Sequence, residues 1–175
     1  ILPNGTFVGI WRECSKRAAP PFRLLFRSLA DAACRTARSP ASGATVHPVR
    51  ASNWKDAASY DWSTAPLFTN LAEHSPPPED PFVYGPVDGV FHALFHDRSC
   101  KGCGGHGYSH DGQRWHYTGI AYNGSTTFTD GDGYFFPRRE RPHLVFRGGT
   151  PIALTNGVQY GQGDATYTLL QPLQT

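Results

Sequence analysis

The chain has 175 residues and 39% hydrophobic content, enough for one ordinary core, and no run of residues is long and apolar enough to span a membrane. A net charge of +2 with the histidines neutral gives no global case for nucleic acid as a partner. Charged residues reach only 17% and Met is absent, while Gly (19), Pro (15) and aromatic residues (13%) are plentiful, a balance that excludes a largely helical protein and favours many short strands joined by turns.

In chain order, the opening Ile1-Leu2-Pro3-Asn4-Gly5 reads as mid-domain sequence, so the domain is expected to be incomplete at its N-terminus. Gly5-Thr6-Phe7-Val8-Gly9-Ile10 follows a turn signal and alternates, which predicts a strand. Arg12, Lys16, Arg17, Arg23, Arg27, Arg35, Arg38 and Arg50 then face only Glu13 and Asp31. Such a basic stretch is a solvated face, or a contact for an anionic glycan or a neighbouring subunit. Within it Phe22, Leu25, Phe26, Leu29 and Ala33 recur at helical spacing, which predicts a short amphipathic helix inserted near 21–37. Cys14 precedes this insertion and Cys34 ends it, so a Cys14–Cys34 bridge would staple it; Cys100 and Cys103 then pair locally or stay free. Asn4-Gly5-Thr6 and Asn123-Gly124-Ser125 are N-glycosylation sequons. Sequons and an even number of cysteines together predict a secreted, extracellular protein.

Ala51-Ser52-Asn53-Trp54, leading to Pro66-Leu67-Phe68, is read as the outer part of a first unit. A pattern then recurs. Glu79-Asp80-Pro81-Phe82-Val83-Tyr84 leads into Gly89-Val90-Phe91-His92-Ala93-Leu94, and Glu140-Arg141-Pro142-His143-Leu144-Val145-Phe146 leads into Gly149-Thr150-Pro151-Ile152-Ala153-Leu154. Each is a Glu, a charged residue, Pro, an apolar strand, a Gly turn and Ala-Leu, and the interval of about 60 residues suits a four-stranded blade with loops. Pro is expected at the strand start, where a missing N–H is tolerated. Asp111-Gly112 predicts a tight hairpin turn within Gly107 to Tyr117, and Asp130-Gly131-Asp132-Gly133 marks another turn. One all-β domain over 1–175 is expected, with units at roughly 1–78, 79–137 and 138–175.

Taken in order, Glu79-Asp80-Pro81-Phe82, Phe91-His92-Ala93-Leu94-Phe95-His96, Gly104-Gly105-His106-Gly107-Tyr108-Ser109, Asp111-Gly112 with Trp115, Arg139-Glu140-Arg141-Pro142-His143-Leu144 and Leu154-Thr155-Asn156-Gly157-Val158 resemble a group of secreted proteins related to the five-bladed β-propeller glycoside hydrolases of families 43 and 32. The resemblance covers most of the chain and is weakest over 12–50. It implies a five-bladed propeller, of which about three blades are visible here, with a central carbohydrate cleft. Asp80 resembles the aspartate that positions substrate and stabilises the transition state, and Glu140 resembles the general acid. His96 and His106 are expected to line the cleft, with Arg139 and Arg141 as further substrate-binding residues. The two arginines flanking Glu140 would tend to lower its pKa, which is awkward for an acid. The related enzymes use a further aspartate on an earlier inner strand; Glu13 and Asp31 match no such motif. Ser109-x-Asp111-Gly112-x-x-Trp115 resembles the hairpin motif of sialidase-type propellers, where it is structural. No metal or cofactor is assigned, because Cys100, Cys103 and His106 lack an evident fourth zinc ligand. The expected function is a glycoside-hydrolase-like protein that acts on or binds an extracellular glycan or polysaccharide. The alternative is a non-catalytic structural glycoprotein subunit of an extracellular assembly or filament, as a homo-oligomer or with other extracellular chains.

Overall fold

The computed structural model describes residues 1–13, 45–63, 67–68, 78–160 and 165–173. Their strands are β1 (Phe7–Glu13), β2 (Thr45–Ala51), β3 (Tyr60–Trp62), β4 (Glu79–Val87), β5 (Val90–Asp97), β6 (Cys103–Ser109), β7 (His116–Tyr122), β8 (Ser125–Thr127), β9 (Gly133–Phe135), β10 (Arg139–Arg147), β11 (Thr150–Gln159) and β12 (Thr166–Pro172). They form antiparallel sheets in the orders β1-β2-β3, β4-β5-β6-β7, β8-β9 and β10-β11-β12, none of them closed. The described residues are therefore all-β apart from one short 3-10 turn, Ala57–Ser59. The helix expected near 21–37, with Cys14, Cys34 and most of the basic stretch, lies outside the described residues.

The four-stranded sheet is covered on both faces, with β5 apolar on one and carrying His92, Leu94 and His96 on the other. Along β5, Phe91, Ala93 and Phe95 point one way. With Trp115, Phe68, Leu67 and Val46 they form the main core, against which Val8 and Ile10 of β1 pack. The Asp111 hairpin anchors Trp115 as the motif predicts. One Asp111 carboxylate oxygen accepts from the N–H groups of Gln113 and Arg114, each at 2.8 Å, and the fully buried Trp115 donates to the Gly112 carbonyl at 3.2 Å. On the opposite face β10 lies against β4, β5 and β6. Phe82 meets His143 at 4.8 Å between ring centroids, and Tyr84 meets Phe146 at 6.0 Å.

The repeat read from the sequence is a repeat of backbone pairing. Glu79 opposes His96 and Phe82 opposes Leu94; Glu140 opposes Gly157 and His143 opposes Thr155. Each hairpin thus carries one extra residue at the same place, a β-bulge holding Asp80-Pro81 or Arg141-Pro142. This corrects the expected position of proline. It sits inside the bulge rather than at the strand start, where the disrupted ladder has no use for its missing N–H.

Arg139 joins the last sheet to the β7–β8 region. It is only 1% exposed. Its Nε donates to Asn156 Oδ1 at 2.8 Å, Nη1 to the Asn123 carbonyl at 3.0 Å and Thr126 Oγ1 at 3.3 Å, and Nη2 to Gln171 Oε1 at 2.6 Å. The guanidinium also lies 4.6 Å from the Tyr122 ring centroid. Gly104 makes room for that ring: a Cβ there would collide with Tyr122, its register partner. Replacing Arg139 by Leu strands four acceptors, so Arg139→Leu is expected to cost roughly 3 kcal/mol or more of unfolding free energy, measured by urea denaturation.

Candidate functional site

The two bulges place their charged residues toward each other. Asp80 and Arg141 occupy equivalent positions and both have left-handed backbones, with φ of 51° and 54°. For residues with a side chain that conformation costs about 1–2 kcal/mol, and it clusters where function demands it. One ligand-capable atom from each of Asp80, His96 and Glu140 lies within 4.8 Å of the others, and all three residues are half-buried. Sequence motifs from two units and three strands therefore meet at one point.

Cations surround this group. Arg138 grips Glu140 with two contacts, Nε to Oε1 at 3.1 Å and Nη2 to Oε2 at 3.3 Å. Arg141 Nε is 3.9 Å from Asp80 Oδ2. Glu79 Oε1 accepts from Arg98 at 3.0 Å, and its Oε2 lies 3.9 Å from His96 Nδ1. That His96 nitrogen is buried and has no hydrogen-bond partner among the described residues. Burial pushes the Glu140 carboxyl up, but the hydrogen bonds and charge of Arg138, with His96 and Arg141, outweigh it and hold the group below the usual carboxylate range. Burial raises the Tyr122 hydroxyl; Asn156 and Arg139 oppose the shift, and the nearby Asp80 and Glu140 charges reinforce it.

The sequence-derived residues divide. Asp80, His96 and Glu140 come together, and Arg141 stands over Asp80 with its side chain 66% exposed. Arg139 is committed to packing, so it does not face a ligand. His106 enters a different group. Its Nε2 is 3.1 Å from His92 Nδ1, its Nδ1 is 2.7 Å from Thr118 Oγ1, and its ring stacks on His92, which stacks in turn on Tyr84. Cys100 and Cys103 form a disulfide across the β5–β6 turn. Asn4 and Asn123 are both exposed.

Arg138 lies just outside the motif that begins at Arg139, and Glu79, although inside one, was assigned no site role from the sequence. The Arg138 carbonyl accepts from the Gln159 N–H at 3.2 Å, extending the β10–β11 pairing by one residue. Alternation then puts Arg138 on the Glu140 side and Arg139 on the other, a signal that was present in the sequence. Two carboxylates and an imidazole also meet the donor types of a divalent-cation site, with Arg138 and Arg141 competing for the same oxygens. Compared with known proteins, the chain matches no family model, no curated protein and no solved structure.

Two titrations follow. Because its folded pKa is depressed, Glu140 contributes stability above its ordinary value of 4.5 and loses it as pH falls through the folded value. Carbon-detected NMR of the carboxyl should show a midpoint below 4.5 that moves up in Arg138→Gln. Burial lowers the pKa of His92, and burial with the His92 charge lowers that of His106. Chemical unfolding should therefore become easier as pH falls below the ordinary histidine value of 6.5, and less steeply so in His106→Gln.

Proposed function

We propose that the chain is a carbohydrate-active, glycoside-hydrolase-like protein that holds an extracellular glycan at Asp80, His96 and Glu140. The observation that carries this reading is the meeting of the Asp80 and Glu140 carboxylates with the imidazole of His96, whose buried Nδ1 makes no hydrogen bond among the described residues and has only the Glu79 carboxylate nearby, at 3.9 Å. Buried polar atoms are rarely left unpaired. Ionised carboxylates accept from sugar hydroxyls, and His96, Arg138 and Arg141 can donate to them. The consecutive antiparallel sheets, stacked face to face with β4 beside β10, support a reading as successive propeller blades. The Cys100–Cys103 disulfide and the exposed sequon asparagines support an extracellular setting.

The contacts of Glu140 are compatible with an acid role in this reading. Arg138, with its side chain 61% exposed and bonded to Glu140 and to Gln159 at 3.3 Å, faces solvent where a bound sugar would compete for its donors. Burial is the largest single influence on Glu140 and raises its pKa, so losing Arg138 moves the carboxyl toward the protonated form that an acid needs. One carboxylate oxygen of Asp80 lies within 4.8 Å of one of Glu140, closer than the roughly 6.5–9.5 Å that leaves room for water between an inverting pair. Asp80 is therefore read as contacting sugar on the same side as Glu140, not as activating water opposite it.

One observation favours the structural-subunit reading. Asp80 and Arg141, at equivalent bulges of neighbouring units, make an ion-pair strap between sheets. The Glu140→Gln variant separates the two readings. It removes a charged acceptor but only a solvent-screened ion pair, so stability should change by less than about 1 kcal/mol. Polysaccharide affinity measured by calorimetry, or turnover where it occurs, should fall about tenfold or more. Unchanged affinity and turnover would leave the strap as the better reading.

A further inference from the structure

A groove beside one of the two sequons lies away from the carboxylates. Between the β8–β9 hairpin and β12 runs a groove of about 650 Å³ lined by Ser125, Thr127, Tyr134, Phe135, Gln171 and Pro172. Its volume is within the range of ligand sites, about 300–1,000 Å³. Ser125 and Phe135 are register partners, so their side chains share a face. Phe135 is 50% exposed, and its ring edge lies so close to Gly124 that a Cβ there would touch it. Gly124 is the middle residue of the Asn123-Gly124-Ser125 sequon. An exposed aromatic ring thus borders the one residue between the modifiable amide and the hydroxyl of the sequon.

Both ends of the sequon are hydrogen-bonded. Asn123 Oδ1 accepts from the Ser125 N–H at 2.9 Å, and the Asn123 carbonyl is held by Arg139. Asn123 and Ser125 are both exposed, whereas Thr6 of the Asn4 sequon is buried. Arg139 also binds the side-chain oxygen of Gln171, a residue that lines the groove.

We infer that Asn123 carries an N-linked glycan whose first sugars lie in this groove, stacked on Phe135 with their hydroxyls and acetamides facing Ser125, Thr127 and Gln171. The donor is a lipid-diphosphate-linked oligosaccharide. Asn123 Nδ2 forms the bond to C1 of its reducing-end N-acetylglucosamine, the bond from C1 to the diphosphate oxygen breaks, the lipid diphosphate leaves and Nδ2 loses one proton. A pyranose face on an aromatic ring buries apolar C–H surface, and the glycan becomes part of the packing of the β8–β9 hairpin. The inference rests on the extracellular setting and is independent of glycan binding at Asp80 and Glu140.

The test uses the full chain secreted from a eukaryotic host as parent, Asn123→Gln, Phe135→Leu and the double variant. Peptide mass mapping should find Asn123 occupied. Asn123→Gln should lower Tm by roughly 2–4 °C when Phe135 is present, and by less than half of that alongside Phe135→Leu. In the parent, NMR should show through-space contacts from the N-acetyl methyl protons to the Phe135 ring, a readout that survives even if Phe135→Leu fails to fold. An empty Asn123, an equal Tm loss in both backgrounds, or the lack of those contacts would overturn the inference.

Discussion

A single buried guanidinium organises much of the described structure. Arg139 reaches from β10 to Asn156 on β11, Gln171 on β12, Thr126 on β8 and the Asn123 carbonyl, and stacks on Tyr122 of β7. A charge this deep is tolerated only when its donors are met and its face is covered. Neighbouring residues of an extended chain point to opposite sides, so locking Arg139 inward turns Glu140 and Arg138 outward toward Asp80. The candidate site therefore depends on a residue that does not face it.

The bulges do the rest of the positioning. The same device appears in β4 and β10 with the same proline and the same left-handed residue, yet the charges differ: Asp80 in one and Arg141 in the other, with Glu79 and Glu140 equivalent. A repeated backbone carrying unlike side chains lets neighbouring units present complementary groups to each other. Opposite charges meet at the joint, and His96, opposite Glu79 in the ladder, completes the cluster.

Aromatic and glycine residues divide the labour between faces. Gly104 admits the Tyr122 ring, while a Cβ at Gly105 or Gly107 would meet Phe95 or Phe68 on the main core. The glycine-rich Gly104-Gly105-His106-Gly107 segment thus serves packing on both sides of β6. His106 and His92 join a stacked ladder with Tyr84, in which burial favours their neutral forms.

Much of the fold was legible in the sequence because its signals are local. Alternation, Asp-Gly turns and the recurring Glu-x-Pro pattern specify strands and hairpins through backbone sterics and the two-residue period of a strand. The Asp111–Trp115 hairpin was legible for the same reason, since its bonds join residues a few positions apart. Asp80 and Glu140 could be picked out by motif, but their meeting could not, because it depends on how two sheets pack. Tertiary structure alone decided that Arg139 is interior, that Arg138 holds Glu140, and that His96 joins the carboxylates while His106 does not. Those outcomes follow from bulge geometry and the competition for buried hydrogen-bond partners, which act between residues far apart in the chain.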